Sequence, residues 1–227
     1  MNKPGNTAAV ALLLAAGALL SPALPADDHA GWQPLFDGET LAGWRGYDST
    51  DIPPGWRVEE GTIHFSDGKG DLVTTAQFTD FELALEWKVA EGGNSGIFYL
   101  APLGFDAIYM GAPEMQVLDD ARHRDGGDPL TSAGAAYGLY PAPRGVVNPA
   151  GDWNFARIRV LGNDVEHWLN GERVVAYTLG SEEWRRLVRE SKFSAWPMYG
   201  MARRGHIGLQ DHGDPVWYRN LRIRSLE

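Results

Sequence analysis

FARIRVLGNDVEHWLNGERVVAY, residues 155–177, carries the strongest local signal in this chain. Turn residues cut it twice, at Gly162-Asn163-Asp164 and at Asn170-Gly171. Asn and Gly tolerate positive φ, so the second cut predicts a tight two-residue hairpin between two strands. FELALEWKV (81–89) repeats the message with a period of two: Phe81, Leu83, Leu85, Trp87 and Val89 alternate with Glu82, Ala84, Glu86 and Lys88. Such alternation marks a strand with one buried face. His167 falls in phase with Val165 and Leu169, which predicts a histidine at the edge of the core.

Further strands are predicted in WRVEEGTIHF (56–65, two runs around Glu-Gly), GIFYL (96–100), EMQVL (114–118), HIGLQ (206–210) and VWYRNLRIRSL (216–226). One short helix is expected, capped by Ser181, with Glu182 and Glu183 in its first turn and an end near Ser191. Residues 101–113 and 120–151 read as long loops, a type usually functional or disordered. The chain therefore reads as all-β, a sandwich of two antiparallel sheets. Its 28 Gly, 14 Pro and 9 Trp suit a turn-rich, aromatic-rich domain.

MNKPGNTAAVALLLAAGALLSPALPA (1–26) has an early lysine, an apolar run from Ala8 to Leu20 and a Pro- and Ala-containing exit. That layout predicts a signal peptide cleaved after Ala26, leaving 27–227 as one domain without a membrane anchor, periplasmic or secreted. With no cysteine there is no disulfide framework or thiol chemistry. A net charge of −10 without basic clusters argues against nucleic acid and anionic membranes as partners.

The residues able to do chemistry gather in two stretches. In EMQVLDD, Glu114 and Gln116 are two apart and share a strand face, while Met115 and Val117 point to the other. A carboxylate and an amide side by side suit either a polar cleft or a solvated face. Asp119 falls on the opposite side unless a bulge turns it round. In HIGLQDHG, a regular strand would put His206, Gly208, Gln210 and His212 on one face, with Gly208 leaving an opening for a ligand. Turn chemistry explains Asp211 and Gly213 but leaves Gln210 and His212, an amide and an imidazole, without a role. Asn94 lies in a Gly-rich turn before a strand, and Lys192 follows the helix. His123 lies in ARHRDGGDP, readable as a metal loop or a solvated one. Neither HExxH nor GxSxG occurs, so no zinc-protease helix or serine-hydrolase elbow is readable.

With PLFDGETLAGWRG (34–46), NSGIFYL (94–100), EMQVLDD (114–120), GDWNFARIRVLGNDVEHWLNG (151–171) and GHIGLQDHGDPVWYRNLRIRSL (205–226), the chain resembles the 3-keto-disaccharide hydrolase domain family from about Gly31 to Leu226. The resemblance implies a concanavalin A-like jelly-roll, a sugar cleft, export, and a small-molecule or oligosaccharide substrate already oxidised to a ketone at C3. It implies proton transfer by Glu114 and His212, with Asp211 orienting a neighbour. Gln210, Asn94, Gln116, Lys192 and His123 would hold substrate. It names no certain cofactor, with a divalent metal on Asp or His ligands as an option, and it leaves the oligomeric state open. The same fold hosts β-glucanases with a Glu-x-Asp-x-x-Glu strand. Here Gln116 and Asp119 replace the second and third acids, which fits a different reaction. A lectin-like module using aromatics such as Trp44, Trp196 or Tyr140 is the binding alternative, and a glucanase-like glycosidase the enzymatic one.

Overall fold

The computed structural model describes Met1 and residues 31–226. The expected signal peptide, Met1 aside, lies outside the described residues. In chain order the strands are β1 (Gln33–Pro34), β2 (Trp44–Gly46), β3 (Trp56–Glu59), β4 (Thr62–Phe65), β5 (Leu72–Thr74), β6 (Phe81–Val89) and β7 (Asn94–Ala101). They continue with β8 (Glu114–Leu118), β9 (Asn154–Leu161), β10 (Asp164–Leu169), β11 (Glu172–Thr178), β12 (His206–Leu209) and β13 (Val216–Ser225). Eight strands make one antiparallel sheet in the order β11-β10-β9-β6-β13-β4-β3, with β1 also on β13. Five make the other, in the order β2-β5-β12-β7-β8.

The meander at 155–177 forms β9, β10 and β11, and Asn170 and Gly171 take φ of 48° and 89° as their hairpin demands. On β9, Ala156, Ile158 and Val160 are buried while Arg157 and Arg159 point outward. The predicted alternation of β6 holds on its inner face, but Glu82 and Ala84 on the outer face are buried too. Glu82 is enclosed by Arg157 at 2.8 Å and Arg224 at 2.6 Å. On β13 the inward set changes phase, from Val216 and Tyr218 to Leu221 and Ile223, because Asn220 at φ 54° inserts a bulge. The helix α1 (Glu182–Glu190) is capped by the Ser181 hydroxyl, which accepts from the Trp184 amide at 3.1 Å.

The inner face of the five-stranded sheet, with Ile97, Tyr99, Met115, Val117, Ile207 and Leu209, joins the main core. Its other face is covered by the two long loops, which are ordered rather than structureless. Segment 134–137 bonds to the free edge of β8: Gln116 donates to the Ala135 carbonyl, and Gly134 and Tyr137 donate to the Gln116 and Glu114 carbonyls. An edge strand is thereby closed and Tyr137 is set beside Glu114. His167 holds the same loop from within. Its Nδ1 lies 3.0 Å from the Gly134 carbonyl, which can only accept, so Nε2 takes the Tyr99 hydroxyl at 2.9 Å. Burial drops its pKa to about 4, so it stays neutral. Loop 101–113 closes over Gly208, where an added Cβ would lie 2.6 Å from Ile108 Cδ1. The opening expected there for a ligand is filled by a side chain.

One hydroxyl links both sheets to the strand end after β12. Ser95 Oγ donates to the Gln210 carbonyl at 2.7 Å and accepts from the Tyr218 hydroxyl, also at 2.7 Å. Ser95→Ala strands two buried groups, each worth about 1–3 kcal/mol when left unmade. Urea unfolding of this variant is expected to show a loss of about 2–6 kcal/mol with the m-value unchanged.

Candidate active site

The outer face of the five-stranded sheet carries a pocket lined by Asn94, Tyr109, Glu114, Gln116, Tyr137, Lys192, Gln210 and His212. Strand pairing explains its floor. Gly96 lies opposite Gln116 and Phe98 opposite Glu114, so Asn94, Gly96, Glu114 and Gln116 share one face. Gly96 is what gives the carboxyl room: a Cβ there would lie 2.1 Å from Glu114 Oε1. The walls come from elements with no periodic signal. Tyr109 stands on a 3₁₀ turn (Ile108–Met110), Tyr137 on the segment that closes β8, and Lys192 on a 3₁₀ turn after α1 (Lys192–Ala195). Gln210 and His212 follow β12, held by the Gln210 amide on the Gly96 carbonyl at 2.9 Å.

Glu114 is buried, and desolvation pushes its pKa up to about 8 although the Lys192 cation pulls the other way. Lys192 is in turn shifted below its usual range, chiefly by burial, with Glu114 and Asp125 opposing. Its Nζ sits 4.4 Å above the Tyr137 ring, a cation–π contact. On the same face, beside Gln210, burial raises Asp71 to about 7 against the Asp211 amide bonded to it at 2.9 Å, and its charge adds to the upward shift of Glu114. Asn94 Nδ2 is 3.3 Å from His212 Nε2. Four buried atoms of the pocket residues have no partner within the protein: Asn94 Oδ1, Gln210 Oε1, and both the oxygen and nitrogen of Gln116. Buried polar atoms are nearly always bonded, so a cluster of orphans around one cavity marks a place where a hydrogen-bonding ligand can sit.

Six of the expected residues therefore meet in one pocket: Asn94, Glu114, Gln116, Lys192, Gln210 and His212. Two do not line it. Asp211 is turned away to bind the Gly70 amide at 2.7 Å and the Gly213 amide at 2.8 Å, so its work is to fix the loop. His123 uses Nδ1 to accept from the Asp125 amide at 3.1 Å, and its ring stands 6.3 Å from that of His212. His206 shares the face of Gly208, as expected, but does not reach the pocket. The register shift between His206 and Gly208 puts its extra residue on β7, and His206 is buried on the Thr74 carbonyl at 2.6 Å, away from the pocket. Asp119 accepts from the Gly92 and Ala121 amides, closing a turn. Trp44 is buried with its Nε1 on the Leu35 carbonyl, so it offers no sugar platform. Tyr109 and Tyr137 escaped the sequence reading because neither sits in a repeating pattern.

The geometry gives a metal little purchase. His212 Nδ1 is 3.9 Å from Asp214 and His123 Nδ1 is 3.9 Å from Asp125. Among the described residues no three His, Asp or Glu side chains converge as a ligand set. No step is therefore routed through a metal here.

Residues 31–224 match the family model of the 3-keto-alpha-glucoside-1,2-lyase-like domain. A 3-keto-disaccharide hydrolase of Bacteroides thetaiotaomicron is 41% identical over 88% of this chain and 80% of its own length. A crystal structure of a candidate glycosyl hydrolase from Parabacteroides distasonis superposes with a TM-score of 0.81 at 32% identity, covering 87% of this chain and 94% of that one. A Bacillus subtilis protein with a galectin-like fold shares the architecture alone, at TM-score 0.53 and 10% identity over 86% of this chain and 89% of the other. The expected jelly-roll sandwich is the fold, and the chain belongs to the family of 3-keto-alpha-glucoside-1,2-lyase-like domains.

Proposed function

We propose that the protein is a carbohydrate-active enzyme that cleaves 3-keto-glycosides by removing the C2 proton and expelling the substituent at C1. The observation that carries this reading is the buried Glu114 carboxyl, pushed up to about 8 although the Lys192 cation opposes the shift, on a floor of unpartnered amides. A sugar-binding module would use the amides but has no use for a carboxyl held out of water at such cost.

A ketone at C3 acidifies the hydrogen on C2. Glu114 as carboxylate takes that proton, and the electron pair moves onto O3 as an enolate. The base and the group that stabilises O3 must sit close together, because C2 and C3 are bonded neighbours; Glu114 and Lys192 are close enough to shift each other. Lys192, on the pocket wall, meets the developing charge. When the enolate collapses, the C1–O bond breaks and a C1=C2 double bond forms. His212, on the rim and partly exposed, returns a proton to the departing oxygen. Water then adds its oxygen to C1 and gives a proton back to His212 while Glu114 returns its own to C2, which completes net hydrolysis. Asn94, Gln116 and Gln210 hold the hydroxyls. The same reading includes export, directed by residues 1–26.

The first test is a product assay with a 3-keto-disaccharide beside its unoxidised parent. Cleavage of the keto sugar alone is expected, and cleavage of both would replace this reading with ordinary glycoside hydrolysis. Because Glu114 must be ionised in the free enzyme, kcat/KM is expected to show a rising limb with its midpoint near pH 8. Glu114→Gln should remove that rise and cost about 10²–10⁴ in kcat.

The same carboxyl should oppose folding. Its folded pKa is raised from 4.5 to about 8, so the native state binds a proton that the unfolded chain has released, and stability falls as pH rises across that window. Wild type and Glu114→Gln are expected to melt at similar temperatures near pH 4.5. At pH 8.5 the variant should be the more stable by a few kcal/mol. Parallel melting curves at both pH values would place Glu114 in water.

Gly96→Ala tests the floor. The methyl group must displace the carboxyl that lies 2.1 Å away. Activity should fall at least tenfold with a shifted pH profile, while circular dichroism stays that of wild type.

A further inference from the structure

A lysine ends a flexible four-carbon stem, so an ammonium that must meet charge at one point needs something to hold it there. The usual holder is a carboxylate, and none takes that part at Lys192. Among the described residues its ammonium makes no hydrogen bond and no ion pair. Glu114 and Asp125 act on it only through their fields. What it meets are ring faces: Nζ lies 4.4 Å from the centroid of Tyr137 and 5.4 Å from that of Phe193.

The chain builds this contact from both sides. The Tyr137 amide donates to the Glu114 carbonyl at 3.1 Å, and the Gly138 amide to the Leu130 carbonyl at 2.7 Å. On the other side the Ser191 hydroxyl accepts from the Phe193 amide at 3.2 Å, and the buried Phe193 ring stacks on Tyr199 at 4.0 Å. The two segments abut one residue further along each, because a Cβ on Gly138 would lie 3.3 Å from the Phe193 ring. Their neighbours, Tyr137 and Lys192, therefore meet at the pocket wall that both line.

The kind of holder matters to the chemistry. A carboxylate on Lys192 would occupy its donors and cancel the charge that an enolate oxygen requires. A ring face attracts the ammonium through its quadrupole, leaves the charge uncompensated and keeps the donors on the far side free. We propose that Tyr137 is a positioning residue for the reaction: its ring holds the Lys192 ammonium at the pocket with N–H donors free for O3 of the substrate. This rests on the 3-keto-glycoside reading above. Tyr137 moves no proton, and the ring rather than the hydroxyl performs the role.

The test places Phe, 4-fluoro-, 3,5-difluoro- and 3,4,5-trifluorophenylalanine at position 137, with Tyr137→Leu beside them, and measures kcat and KM on a 3-keto-disaccharide. Fluorine drains the ring face of negative charge while barely changing its shape. Tyr137→Phe is expected to keep kcat within about threefold of wild type. From there kcat should fall stepwise with each fluorine, by about tenfold in all, with KM little changed. Tyr137→Leu should lose at least as much as the trifluoro variant. A kcat that is flat across the fluorine series would overturn the role, as would a Tyr137→Phe variant as impaired as Tyr137→Leu. So would a fall carried by KM alone, which would mean that the ring stacks on the sugar. Failure of the wild type to cleave the 3-keto-disaccharide would instead overturn the 3-keto-glycoside reading itself.

Discussion

The site depends on one steric fact: the Glu114 carboxyl lies where a side chain at position 96 would be. A glycine opposite a carboxylate on adjacent strands lets the acid fold flat against the sheet instead of reaching into solvent. Once there, it is desolvated, and its pKa rises. Everything else in the pocket answers to that buried acid. Lys192 must be close enough to offset its charge when it ionises, and the loops must exclude water without supplying a hydrogen bond that would bring the pKa back down.

The sandwich provides the rigidity this requires. Ser95, between Asn94 and Gly96, points the other way and bonds both the second sheet through Tyr218 and the strand end through Gln210. The backbone that sets the floor is thus anchored from the core side. The free edge of β8 is closed by 134–137, and the same segment is held from inside by His167. Catalytic polarity on one face of a strand and structural polarity on the other are separated by a single residue of the β repeat.

The sheets were legible because alternation and turn chemistry agree: FELALEWKV, the Asn170-Gly171 hairpin and the Ser181 cap all fold as their residues dictate. Strands of two or three residues, β1, β2 and β5, are too short to show a period. The Asn220 bulge was hidden because Asn also suits ordinary turns. At the site, Glu114 and Gln116 could be paired from their spacing alone. His206 and Asp211 misled for different reasons. His206 keeps the face its phase gives it but is taken up by the Thr74 carbonyl before the pocket begins, and Asp211 stands among functional residues only to hold a loop. Tyr109 and Tyr137 arrive through tertiary contacts of aperiodic loops, a placement no local pattern encodes.

The departure from the β-glucanase strand pattern now has a physical sense. Retaining glycosidases need two carboxyl groups about 5–5.5 Å apart across the sugar. Here the second position of the pattern is Gln116, whose amide faces the pocket with both polar atoms unpartnered. The third is Asp119, turned away onto the Gly92 and Ala121 amides. Only one carboxyl remains among the pocket side chains. Asp71, the neighbouring buried carboxyl, is tied to the Asp211 amide, which leaves Glu114 to move one proton back and forth. If the substrate brings its own electron sink, as a ketone does, one movable proton beside a lysine is sufficient, and the second acid becomes a liability that an amide replaces.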